Sequence, residues 1–353
     1  MSQLSFSEAE FSGKRKQTRR EKFLGEMERT VPWDYLAGEI AKHYPQAGKP
    51  GRQPYPIETM QAPGGARGRM TQRKDMDVQH IAAFSAASSG GNPAGVVICE
   101  TLPPADEMQR VAQQVGYSET VFAAPLQDGW RVRYFSPLVE VDFCGHATIA
   151  LGAALAKRQG SGTFALQLNQ AEITVDGYDS QAGWSASFRS PPTRSGGAPQ
   201  PLLQEALALF KLHQADLDPR IPPALAHAGA NHLVLALRSR DALRRMNYDI
   251  AQGQALASRE DLTTFCLVYA EQDQHFHVRN PFPLGGVFED PATGAAAAAL
   301  GGYLRDIGWP HGASIRIDQG DDMGVPCRIR ADIGAASGEG IRVSGNARLM
   351  TRP

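Results

Sequence analysis

Three short segments of the chain combine residue types that can move or hold protons. Tyr117-Ser118-Glu119-Thr120 opens an apolar strand, Phe143-Cys144-Gly145-His146-Ala147-Thr148 opens a small-residue helix, and Glu289-Asp290-Pro291-Ala292-Thr293-Gly294-Ala295 opens a second such helix. A carboxylate such as Glu119 beside apolar side chains is either paired with a neighbouring charge or an acid with a raised pKa. Removing a proton from carbon requires such a positioned, desolvated base and fixed positive potential for the developing anion.

Each segment also has an ordinary structural interpretation. Asp290 followed by Pro291 is typical of a helix start, with the aspartate as N-cap. His146 is consistent with a buried, hydrogen-bonded histidine, and Cys144 with a small core residue. Both helices begin at turns, where free N–H groups and the positive end of the helix dipole form an anion site. Two such starts facing one cleft would suit a carboxylate substrate.

The elements that carry these segments occur twice along the chain. Val132-Arg133 followed by Pro137-Leu138 recurs 146 residues later, and six residues between Ala147 and Leu155 recur at an offset of 145. Each copy predicts a strand, a proline-containing turn and a helix built mostly from Ala and Gly. Such helices bury little area per residue, which suits a sheet wrapped closely around a central helix. We therefore expect a duplicated lobe of roughly 120–150 residues.

Composition divides the 353 residues near residue 75. Residues 1–75 carry a net charge of +5 and the remainder −6, within an overall charge of −1. Residues 61–75 are rich in Gly, Pro and Arg and predict a linker, after which the segment that follows Met76 alternates like a first strand. The balanced total charge argues against a dedicated nucleic-acid binder. The length predicts two domains, or one two-lobed domain with an appendage.

The cysteines and the apolar pattern indicate the compartment. Cys99, Cys144, Cys266 and Cys327 lie far apart without a CxxC pair, which argues against a disulfide scaffold and a zinc ribbon. The first residues lack the apolar region of a signal peptide, and no stretch approaches the about 18 apolar residues of a membrane helix. We therefore expect a cytoplasmic protein with no membrane partner.

Five segments, in order, resemble the PhzF-like isomerases of phenazine biosynthesis, which share the diaminopimelate epimerase fold. They are Gly91-Asn92-Pro93-Ala94-Gly95, Met108-Gln109, Ser118-Glu119-Thr120, Cys144-Gly145-His146-Ala147-Thr148 and Glu289-Asp290-Pro291-Ala292-Thr293-Gly294. The resemblance runs from about Met76 almost to the C-terminus. It implies an α/β (α+β) fold of two pseudo-symmetric lobes, 76–195 and 196–353, each a curved mixed sheet around a central helix. The C-terminal strands can return to the first lobe.

The same resemblance implies an isomerase that moves a proton between carbons of a small unsaturated carboxylic acid. Glu119 matches the catalytic acid/base, and His146 and Asp290 match the other catalytic positions. It implies neither a metal nor an organic cofactor, and it favours a homodimer. Ala295 stands where PhzF has a serine, so one hydroxyl donor is missing and the phenazine precursor itself is not implied as the substrate. The implied substrate-binding positions are Asn92, Cys144, Gly145, Thr293, Gly294 and Ala295.

Residues 3–60 resemble a different family, the N-terminal region of DDE-type insertion-sequence transposases, which is helical and accompanies DNA handling. The resemblance ends at Met60, and no catalytic domain of that family follows. The basic cluster between Lys14 and Lys22 could contact phosphates, whereas the glutamates near it favour a solvated helix face. We expect residues 1–60 to be a helical appendage, with any nucleic-acid binding confined to it.

Three other functions fit parts of the sequence less well. A two-thiol racemase needs a cysteine at each helix start, whereas the second start here has Asp-Pro-Ala-Thr-Gly. His275 and His277 alternate onto one face of a strand, but a histidine pair without further ligands predicts strand surface rather than a metal centre. A catalytically silent binding protein on the same scaffold stays open because of Ala295.

Overall fold

The computed structural model describes residues 76–180 and 183–351, so the predicted appendage and linker lie outside the described residues. The helices are α1 (Ala105–Val115), α2 (Gly145–Gln159), α3 (Gln200–Leu209), α4 (Arg240–Arg244), α5 (Ile250–Arg259) and α6 (Gly294–Asp306). The strands are β1 (Gln79–Ala83), β2 (Asn92–Ile98), β3 (Glu119–Leu126), β4 (Gly129–Phe135), β5 (Glu140–Val141), β6 (Gly162–Gln167), β7 (Glu172–Ser180), β8 (Gly183–Arg189), β9 (Arg194–Gly197), β10 (Ala224–His227), β11 (Asn231–Ala236), β12 (Thr264–Gln272), β13 (His275–Phe282), β14 (Val287–Asp290), β15 (Ser314–Gln319), β16 (Cys327–Asp332) and β17 (Arg342–Leu349).

The first half of the described chain, defined as β1–β8 and β17, surrounds helix α2. The strands pair in the order β1, β2, β3, β4, β6, β7, β8, and β17 closes the ring by pairing with both β8 and β1. The β2–β3 and β4–β6 pairs are parallel and the others are antiparallel. A Cβ added at Gly177 of β7 would lie 2.2 Å from the carbonyl oxygen of Gly152 in α2. The small residues of α2 therefore allow the strands to approach it closely.

The second half, defined as β9–β16, packs around helix α6. Its strands pair in the order β9, β10, β11, β12, β13, β15, β16, with β14 beside β13 and with β16 joined to β17. Helix α6 is Ala- and Gly-rich and almost wholly buried. Helices α3, α4 and α5 contribute to a separate apolar cluster with β11 and β12, and α1 packs with β2 and β3 in a third. None of the described helices combines the length and apolarity needed to cross a membrane.

The mixed α/β fold is confirmed, and both copies of the repeat have the predicted order of strand, turn and helix. The repeated arginine has a structural reason. Arg133 on β4 donates to Glu140 on β5, and Arg279 on β13 donates to Glu289 on β14. Each arginine therefore fixes the short strand that precedes a central helix. The division into two lobes at residue 195 stays a prediction.

Candidate functional site

Helices α2 and α6 begin next to each other. Helix α2 starts at Gly145 after the N-cap Cys144, and α6 starts at Gly294 after the N-cap Thr293. A Cβ added at Gly145 would lie 3.8 Å from the Cα of Gly294 and 3.1 Å from Cζ of Phe188. The absence of side chains at these glycines therefore lets two positive helix ends converge. Such a pair of helix starts favours an anion, as the sequence predicted.

The first helix start carries the groups that can exchange protons. Glu119 is the first residue of β3, its side chain is 16 % exposed, and its Oε2 lies 3.3 Å from Nε2 of the buried His146. Sγ of Cys144 lies 3.3 Å from Nδ1 and 3.9 Å from Nε2 of the same imidazole, and Oγ of Ser118 lies 3.4 Å from Nε2. Burial, and then the negative charge of Glu119, raises the pKa of the Cys144 thiol well above its ordinary value. The thiol is therefore protonated, and it lies beside both the imidazole and the Glu119 carboxylate.

The second helix start carries a fixed set of hydrogen bonds around Asp290. Nδ2 of Asn92 donates to Oδ1 of Asp290 over 2.9 Å, and the Thr293 hydroxyl donates to Oδ2 over 2.6 Å. Asn92 also donates to the carbonyl of Ala292. Burial raises the pKa of Asp290, although the positive charge of His146 and the hydrogen bond from Thr293 act in the opposite direction.

The expectation that Asp290 caps the second helix is wrong. Asp290 is the last residue of β14, and α6 begins only at Gly294 with Thr293 as its N-cap. The carboxylate of Asp290 is held by Asn92 and Thr293, so it accepts side-chain donors instead of helix N–H groups. This leaves Asp290 beside the helix start, where its oxygens can face a bound molecule.

Gln319 on β15 was missed by the sequence analysis, because no motif marks it. It is buried, its Nε2 donates to the Asp290 carbonyl (2.7 Å) and to Oγ1 of Thr293 (3.1 Å), and its Oε1 accepts from Thr293 N (3.3 Å) and Asn280 Nδ2 (3.2 Å). Both donors and both acceptor positions of this amide are therefore satisfied. Since the Thr293 N–H is engaged by Gln319, the next N–H groups in the first turn of α6 are those left to bind an anion.

The structure thus brings most of the predicted catalytic and binding residues to one place, where contacts or charge link them. These residues are Asn92, Glu119, Cys144, Gly145, His146, Asp290, Thr293 and Gly294. Ala295 lies in the first turn of α6 and offers only its backbone N–H. Glu119, Cys144 and His146 also have ligand atoms within 4.8 Å of one another and could hold a metal ion. A thiolate ligand would be needed there, and the raised pKa of Cys144 opposes it.

Comparison with known proteins agrees with this geometry. The family model described as phenazine biosynthesis-like protein matches residues 81–352. The trans-2,3-dihydro-3-hydroxyanthranilate isomerase of Pseudomonas aeruginosa is 33 % identical over 279 residues, which cover 75 % of this chain and 91 % of the relative. A solved PhzF-family protein of Bacillus anthracis superposes with a TM-score of 0.68 at 22 % identity, covering 78 % of this chain and 97 % of that one.

A more distant structure shares the fold alone. The hydroxyproline epimerase of Agrobacterium vitis superposes with a TM-score of 0.53 at 10 % identity, covering 78 % of this chain and 91 % of that one. The family match extends over most of the described residues and includes both helix starts. The chain therefore belongs to the phenazine biosynthesis-like family, also called PhzC-PhzF.

Proposed function

We propose that this chain is an isomerase that moves a proton between carbons of a small unsaturated carboxylic acid, with Glu119 as the single acid/base. The observation that carries the proposal is the position of the Glu119–His146 pair at one helix start, directly beside the second helix start. A base and an anion-holding pair of helix ends are the two components that proton abstraction from carbon requires.

Binding of the substrate uses the second helix start. The substrate carboxylate accepts hydrogen bonds from the N–H groups of Gly294 and Ala295, because the Thr293 N–H is already engaged by Gln319. Asp290 and Asn92 hold a hydroxyl or amino group of the substrate. Asp290 accepts from such a group while it keeps its own bonds to Asn92 and Thr293.

Proton transfer uses the first helix start. The Glu119 carboxylate takes a proton from a substrate carbon, and the electron pair left behind spreads through the conjugated system to the carboxylate. The helix dipoles stabilise this dienolate. Glu119 then returns a proton to a different carbon, so no cofactor or external acid is consumed. In D2O the carboxyl proton of Glu119 exchanges with solvent in a fraction of turnovers, and the returned atom is then deuterium. His146, whose Nε2 lies 3.3 Å from Oε2 of Glu119, holds the carboxylate in position.

The relative's name supplies a first compound to test. The Pseudomonas aeruginosa protein is named for trans-2,3-dihydro-3-hydroxyanthranilate, which belongs to the class of unsaturated carboxylic acids proposed here. Ala295 removes a hydroxyl donor that the PhzF resemblance expects at this position. The substrate of this chain therefore belongs to that class but is expected to bind without this hydroxyl.

The test is incorporation of solvent deuterium into carbon by the full chain. A panel of small unsaturated and amino-substituted carboxylic acids, including trans-2,3-dihydro-3-hydroxyanthranilate, is incubated in D2O and followed by NMR and mass spectrometry. Glu119→Gln should reduce exchange by ~10²–10⁴-fold, the usual contribution of a general acid/base. Glu172→Gln, at an exposed position on β7, is the matched control and should exchange normally.

Two outcomes would overturn the proposal. Retained exchange in a folded Glu119→Gln variant would exclude Glu119 as the base. Binding of a panel member without exchange, at every pH tested, would instead indicate a binding protein on this scaffold.

A further inference from the structure

A second group of titratable side chains lies on the outer face of the second-half sheet. His275 and His277 alternate along β13, so both point away from the buried face that carries Phe276 and Val278. Glu271 lies near the end of β12, where the pairing with β13 shifts register, and its side chain meets both imidazoles. Its Oε2 is 2.6 Å from Nε2 of His277 and 3.2 Å from Nδ1 of His275. The histidine pair therefore has the third ligand that the sequence alone did not indicate.

We propose that Glu271, His275 and His277 bind a divalent transition-metal ion of the zinc class. Their ligand atoms all lie within 4.8 Å of one another. Two imidazole nitrogens and one carboxylate oxygen are a common ligand set for Zn²⁺, with water in the fourth position. The site would join β12 to β13 on the face opposite the helix starts.

The arrangement of Asp318 around His275 supports this assignment. Asp318 on β15 is 6 % exposed, and its Oδ2 lies 2.9 Å from Nε2 of His275. A metal-bound histidine typically donates its other ring N–H to a carboxylate, which fixes the tautomer and leaves the opposite nitrogen free for the metal. In the metal-bound site Nε2–H of His275 would donate to Asp318, and Nδ1 is the nitrogen that faces Glu271.

The cluster is also incompletely satisfied by protein groups. Nδ1 of His277 is buried and makes no hydrogen bond to the described part of the chain. Buried polar atoms normally have a protein, water or ion partner, so an ordered water is expected to accept from or donate to this nitrogen.

Two arginines belong to the same surroundings. Nε of Arg316 and Nε of Arg328 lie 3.2 and 3.4 Å from Oδ1 of Asp318, and Nη2 of Arg316 lies 2.8 Å from Nε2 of His275. These cations balance Asp318 and leave Glu271 to balance the metal. The side chain of Arg316 is 59 % exposed, so it can turn into solvent when Nε2 of His275 donates to Asp318.

The experiment measures zinc binding by the full chain, purified without a histidine tag and stripped with a chelator. Zn²⁺ is titrated in competition with a chromophoric chelator, and Co²⁺ is used as a spectroscopic probe of coordination. The wild type should bind one Zn²⁺ per chain at this cluster. His277→Gln should weaken that binding by more than ~100-fold, since loss of an outer-shell partner alone costs ~10–100-fold. Zn²⁺ should also raise the unfolding temperature of the wild type.

Three variants make the result decisive. Glu271→Gln alters a half-exposed side chain at the end of a strand, so it should fold normally and still lose the site. His213→Gln removes a histidine that pairs with Asp216 outside the cluster and should bind like the wild type. Cys144→Ser tests the competing group at the first helix start. Binding retained in both His277→Gln and Glu271→Gln, or lost only in Cys144→Ser, would overturn the proposal, as would absence of Zn²⁺ binding by the wild type.

Discussion

At the start of α2, the titratable side chains of Cys144, His146 and Glu119 lie within 4.8 Å of one another. At the start of α6, by contrast, Thr293 is held through both its N–H and its hydroxyl by Gln319 and Asp290. The same repeated strand, turn and helix therefore support different chemistry. Under the proposed function, the first copy (the catalytic copy) supplies the acid–base groups, whereas the second copy (the binding copy) supplies a rigid set of hydrogen bonds for the substrate.

The ion pairs that hold the two short strands, β5 and β14, differ in how deeply they are buried. Arg133 and Glu140 in the first half are partly exposed, with side chains 21 % and 27 % accessible. Arg279 and Glu289 in the second half are buried, and Arg279 also donates to the carbonyls of Leu243, Arg244 and Met246. The binding copy is thus anchored more firmly than the catalytic copy.

Replacing Arg279 and Arg133 in separate variants tests this difference in anchoring, and it should give the largest effect predicted here. Arg279→Met should lower the free energy of unfolding by ~3–5 kcal/mol, because it leaves Glu289 buried without its partner. Arg133→Met should cost only ~0–1 kcal/mol, because solvent can replace the lost partner. Urea unfolding of both variants, followed by circular dichroism, measures the two losses. Equal losses would contradict the contrast in anchoring.

Adding a hydroxyl at residue 295 tests whether the second helix start binds the carboxylate of the ligand. Ala295→Ser adds a donor at the first turn of α6, and a hydrogen bond to a charged carboxylate contributes ~1.5–3 kcal/mol. In a Glu119→Gln background, which prevents turnover, the added serine should tighten binding of trans-2,3-dihydro-3-hydroxyanthranilate by ~10–150-fold. Isothermal titration calorimetry with and without the serine provides the comparison. Unchanged affinity would mean that the ligand carboxylate does not face residue 295.

Gln319 tests whether the second helix start acts by positioning. Gln319→Met keeps the side-chain length but leaves the Thr293 N–H and the Asn280 amide without an acceptor, which costs ~1–3 kcal/mol. Because the groups that exchange protons are untouched, KM should rise ~5–100-fold while kcat changes little. Gln319→Glu keeps an acceptor for the Thr293 N–H but loses the donors to the Asp290 carbonyl and the Thr293 hydroxyl and adds a buried negative charge, so it should not recover the affinity. A fall in kcat at constant KM would contradict a positioning role.

The sequence predicted the parts of this site that are local. Glu119 at the start of β3, and Gly145 and Gly294 at the two helix starts, follow from short motifs and from the internal repeat. These features depend on neighbouring residues and on backbone geometry that recurs in both halves, so a single sequence is enough to identify them.

The parts that the sequence did not predict depend on strand register. Gln319 reaches Asp290 across 29 positions, and Asp318, its neighbour, points to the opposite face of the sheet, toward His275. Likewise, Glu271 joins His275 and His277 only because a register shift between β12 and β13 brings it to their face. The alternative interpretation of Asp290 as a cap rested on Asp-Pro being a common helix start, whereas its carboxylate is held by Asn92 and Thr293 and the helix begins only at Gly294.

The smallest expected effect concerns the pH dependence of stability at Asp290. Burial raises its pKa in the folded chain above the ordinary value of 3.8, so the folded state holds this proton more tightly than the unfolded state. The stabilisation is full below the ordinary pKa and is lost as pH rises through the folded value. Asp290→Asn does not titrate there, so the wild type should lose stability relative to the variant as pH rises above 3.8, until the difference levels off.

Urea unfolding of both proteins from about pH 4 to pH 8 measures this difference, since groups common to both proteins largely cancel. A difference that stays constant with pH would show that Asp290 is not penalised by burial and that its charge is fully balanced by His146, Asn92 and Thr293. A rising difference would show that the binding copy carries an electrostatic cost in the empty protein. A substrate hydroxyl or amino group that donates to Asp290 would then relieve that cost, and substrate binding would be strongest where Asp290 is ionised.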